Sequence, residues 1–63
     1  MNVAFYPEGE TIARIESLEL EVRETRRRLE HARSESDKKV LNKQLGELKD
    51  EIQYLSNRLK LNK

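Results

Sequence analysis

Two apolar stripes run along this chain with the three-and-four spacing of a helix face, and they are out of phase with each other. Ile15, Leu18, Val22, Thr25, Leu29 and Ala32 make the first, and Leu41, Leu45, Leu48, Ile52, Leu55 and Leu59 the second. Such spacing puts each set on one line of a helix, the a and d positions of a heptad, with Ile15 and Leu45 both at a. Leu29 and Leu45 are a positions too, yet they lie sixteen residues apart, two more than a pair of heptads. At about 100° per residue, that spacing turns the second stripe by roughly 160° from the first. One straight helix would carry its two apolar lines on nearly opposite sides.

The segment between the stripes, Arg33-Ser34-Glu35-Ser36-Asp37-Lys38-Lys39, has no strongly apolar side chain. Ser34 with Asp37, or Ser36, offers an oxygen to cap the free amides of a new helix. No glycine or proline forces a turn here, and a Glu35–Lys39 pair also suits an unbroken helix.

Facing positions favour a reversal. Ile15 with Leu55, Leu18 with Ile52, Val22 with Leu48, Thr25 with Leu45, and Leu29 with Leu41 all have residue numbers adding to 70, with the midpoint at residue 35. An antiparallel hairpin needs this constant sum, because an a residue of one helix faces a d residue of the other. Charges flanking the stripes fit less well: Glu19 falls near Lys49, but Arg14 faces Arg58 and Glu21 faces Glu51. A parallel homodimer of the first stripe would bring Arg14 to Glu19 and Glu21 to Arg26 instead, with Arg28 against Arg33 as its one repulsive pair. Exposed ion pairs contribute only ~0–1 kcal/mol each, whereas a large apolar side chain left in water costs ~1.5–3 kcal/mol. Apolar pairing therefore decides. The expected fold is all-α: an extended arm over 1–10, then a hairpin over 11–63 made of a helix at 11–33, a turn at 34–36 and a helix at 37–61. The parallel homodimeric coiled coil is the alternative.

Composition narrows the means of stabilising it. At 63 residues with no cysteine and a single histidine, the chain has neither disulfides nor a paired metal-ligand spacing to reinforce a small core. Gly46 weakens the second helix further. Self-association is the expected supplement.

Chemistry finds little footing. His31 sits at an outward position among charges, each carboxylate has a role as surface charge or ion-pair partner, and no phosphate-cradling loop or nucleophile arrangement is present. The sequence therefore predicts a non-enzymatic protein without a metal or other cofactor. Arg23, Arg26, Arg27, Arg28 and Arg33 form a basic run of the kind that contacts phosphates, but Glu21, Glu24 and Glu30 are interleaved and the net charge is only +1. A solvated, ion-paired face is the favoured reading of that run, with a nucleic-acid-binding regulator as an alternative. No apolar run reaches transmembrane or signal-peptide length, which points to a soluble cytoplasmic protein with no membrane role.

The arm differs from the rest. It holds the only proline and two of the three aromatics; Pro7 biases Tyr6 toward extended backbone, and either Pro7 or Thr11 marks the helix start. Phe5 and Tyr6 are residue types that anchor interfaces, and the arm either docks on a partner or folds back near Ile12, Leu59 and Leu61. Leu20 and Tyr54 lie off the stripes and join them as candidate partner-binding residues, while Val40 is a scattered surface residue. The expected function is a protein–protein interaction module, a small adaptor, inhibitor or assembly factor; a structural homodimeric scaffold is the alternative. The expected pairing core is Ile15, Leu18, Val22, Leu29, Leu41, Leu45, Leu48, Ile52, Leu55 and Leu59.

Overall fold

Proline suits the first turn of a helix, where its missing amide hydrogen is not needed and its φ is already helical. The computed structural model describes the backbone of residues 7–61 and the side chains of 9–60. In it, helix α1 opens at that proline and spans Pro7–His31, and helix α2 spans Glu35–Leu61. Residues 7–10, expected to close the extended arm, are thus the first turn of α1. The remainder of the arm, with Phe5 and Tyr6, lies outside the described residues.

Ala32, Arg33 and Ser34 connect the helices, so both ends of the break fall two residues earlier than the sequence reading put them. Capping explains the shift. Arg28 and His31 place basic side chains in the last turn of α1, at the negative end of its dipole. The Ala32 amide donates to the Leu29 carbonyl at 3.2 Å, three residues back, which tightens and closes the helix. Ser34 then starts α2. Its Oγ accepts the Asp37 amide at 3.0 Å, and its carbonyl accepts the Lys38 amide at 3.1 Å as the first bond of the new helix. Glu35 and Asp37 supply negative charge in that first turn, and Glu35 lies 3.7 Å from Lys38 rather than reaching Lys39. Ser34→Ala should cost about 1 kcal/mol. That lowers the midpoint of a circular-dichroism melt by roughly 4–8 °C. Ser36→Ala, exposed within α2, should leave the midpoint nearly unchanged.

The two helices pack against each other as a helical hairpin. Its Cα radius of gyration is 15.2 Å. A compact domain of this length would have about 11 Å, so the molecule is elongated and has little interior. Leu18, at 1% exposure, is the buried apolar residue among those described, and Thr25, at 7%, is the buried polar one. Gly46 lies inside α2, where a Cβ would meet nothing within 4 Å. Gly46→Ala should therefore stabilise the hairpin by about 0.5–1 kcal/mol, since only helix propensity changes. A higher urea midpoint with unchanged slope is the expected reading.

Candidate interaction surfaces

Burial along the helices follows the two stripes. Leu18 is buried, and Ile15, Val22, Leu29, Leu41, Leu45, Leu48, Ile52, Leu55 and Leu59 are half-buried. Thr25 and Ala32 continue the first line inward. Lys38, Glu51 and Ser56 are also half-buried; Lys38 continues the second line at a, seven residues before Leu45, and Glu51 and Ser56 flank it at g and e. Glu51 engages α1.

That engagement corrects the expected charge pattern. Arg14, placed opposite Arg58 by the facing numbers, instead donates from Nε and Nη2 to one carboxylate oxygen of Glu51, at 3.3 and 3.1 Å. A long, flexible arginine is not bound to its own level of the hairpin, and it reaches along α2 to the nearest opposite charge. Both groups remain substantially exposed, so the pair contributes at most ~1 kcal/mol. Glu24 and Arg28, one turn apart on α1, lie 3.7 Å from each other.

These pairs border an open groove of about 470 Å³ between the helices. Glu21, Glu24 and Arg28 line it from α1, and Gln44, Glu47 and Glu51 from α2, above Thr25 and Leu48. Four carboxylates against one guanidinium make the lining acidic. Arg28 and Arg14 occupy Glu24 and Glu51; Glu21 and Glu47 form no ion pair among the described residues. The groove positions are g and c of the heptads. On the other side of the hairpin, at e and b, the central stretch carries Arg23, Arg26 and Lys49, with Glu19 and Glu30 as its carboxylates. These three cations are exposed and form no ion pair among the described residues.

The candidate partner-binding residues that the structure describes are both exposed. Leu20 lies on the outer side of α1, beside Arg23, Glu24 and Arg27. Tyr54 is 61% exposed even with the Arg58 guanidinium 6.0 Å from its ring centroid. Ile12 and Val40 are exposed as well. Val40 and Tyr54 share position c but stand about 21 Å apart along α2, so they are separate apolar points and not a patch. Arg27 and Arg33 are also exposed. Among the described residues, no three His, Cys, Asp or Glu side chains come together to hold a metal ion, and no helix is long and apolar enough to cross a membrane.

No protein-family model, curated protein or solved structure matches the chain.

Proposed function

We propose that the chain is an antiparallel two-helix coiled coil that acts as a protein–protein interaction module. One observation carries this reading: the apolar stripes are turned toward each other, leaving outward faces of charge with isolated apolar points at Leu20 and Tyr54. Such faces suit recognition by another protein surface, where exposed aromatic and aliphatic side chains seat in a partner's pockets. Antiparallel pairing is supported by the contact of Arg14 with Glu51, thirty-seven residues away, and by a groove that residues 21–28 share with 44–51.

Two measurements test it. Spin labels at Ser17→Cys and Tyr54→Cys, diluted with unlabelled protein, should report an intramolecular separation below about 25 Å, two helix diameters. A separation near 55 Å, the length of thirty-seven residues in one helix at ~1.5 Å each, would mean an unbroken rod and overturn the hairpin. Affinity capture with the intact chain should recover a protein that is lost when Phe5, Tyr6, Leu20 and Tyr54 are all replaced by alanine. Equal recovery by both baits removes these side chains from the interface.

A further inference from the structure

Across its middle, the hairpin is electrically two-sided. On the groove side, Glu21, Glu24, Glu47 and Glu51 outnumber Arg28. On the reverse, Arg23, Arg26 and Lys49 outnumber Glu19 and Glu30. We propose that the partner of each face is the opposite face of a second copy of this chain, so that hairpins stack groove side onto reverse side.

Charge decides the geometry. A two-fold dimer joins a face to itself. Groove side on groove side would bring two acidic surfaces together, and reverse on reverse two basic ones. Groove on reverse puts the unpaired Glu21 and Glu47 of one copy against the unpaired Arg23 and Arg26 of the next. That contact is heterologous: a pair of copies keeps one free acidic face and one free basic face, and assembly continues beyond two unless it closes into a ring. Gly46 lies at a b position of α2 on the reverse side, and open space surrounds the position where its Cβ would be. A neighbouring helix can approach the backbone closely there. Contacts between exposed charges weaken steeply with salt, because the screening length falls from about 10 Å at 0.1 M to about 3 Å at 1 M.

The proposal deepens the interaction-module reading and rests on it; the label distance above tests the hairpin by itself, so failure of one is distinguishable from failure of the other. Sedimentation velocity of the full chain at low ionic strength should show a mass that rises with concentration past the dimer. In about 0.5 M salt, where screening is strong, that growth should disappear. Glu21→Lys/Glu47→Lys makes both faces basic, and Arg23→Glu/Arg26→Glu makes both acidic. Each variant alone should fail to grow at low salt, and an equimolar mixture should associate again. All four side chains are exposed, so unchanged helicity by circular dichroism confirms that the variants fold. A mass that stays at one chain, a growth that stops at a salt-insensitive dimer, or a mixture that does not associate overturns the proposal. So does a low-salt chain that stays single but binds duplex nucleic acid through Arg23 and Arg26.

Discussion

Replacing Leu18 with alanine is expected to abolish the cooperative thermal melt of the isolated chain. Removing a buried leucine side chain costs about 2–5 kcal/mol, the sum of lost transfer energy and the cavity left behind. A chain of 63 residues has roughly 3–9 kcal/mol of stability at ordinary values per residue. Leu18 is the one apolar side chain among those described that is removed from water entirely; the other pairing residues are only half covered. No second layer therefore takes over when it is truncated. The far-UV signal of the variant should fall and lose its sigmoidal transition. Leu20→Ala, two residues away and exposed, should shift stability by no more than about 0.5 kcal/mol. Similar losses for the two variants would show that Leu18 is not a packing centre.

Deleting Ser34 and Glu35 should turn the hairpin into a rod. Without them Leu29 and Leu45 stand fourteen residues apart, and the two stripes join into one uninterrupted heptad series. The deletion also removes the hydroxyl that caps α2. A continuous helix would be about 80 Å long at 1.5 Å per residue. It would bury its single apolar line only against a second chain. Small-angle scattering should show the radius of gyration rising from near 15.2 Å to about 23 Å, that of a rod of such length. Light scattering in about 0.5 M salt, where charge-driven stacking is screened, should show the mass doubling. Ser34→Ala/Glu35→Ala, which removes the cap and keeps the residue count, separates the two causes. It should remain a hairpin of reduced stability. A deletion variant that stays compact and monomeric would show that the connection, and not the phase of the stripes, dictates the reversal.

Much of this fold is legible in the sequence because its information is periodic. Ile15, Val22 and Leu29 on one helix, and Leu45, Ile52 and Leu59 on the other, mark the inward lines without reference to anything distant. Helix ends are another matter. Nothing apolar lies between Arg33 and Lys39, so periodicity stops short of the boundary, and hydrogen bonds at Leu29 and Ser34 set it. Pro7 left the start of α1 open between itself and Thr11 for a related reason: the same ring that breaks a helix interior begins one well. The surfaces were the least legible part. The partner of Arg14 depends on how far a flexible side chain reaches, and the acidity of the groove emerges only when residues 21–28 and 44–51 are brought side by side.

The placement of Leu18 also governs how the molecule assembles in time. Contacts nearest the connection close the shortest loops and form first, since loop-closure entropy grows with separation. Moving outward along α1 from Ser34, however, a zipper passes the half-exposed Leu29 and the polar Thr25 before it reaches the one fully enclosed leucine. Half-closed hairpins thus gain little for the order they impose, and the decisive burial arrives late. Folding is then all-or-none, and truncating Leu18 acts mainly on the rate at which the closed molecule opens.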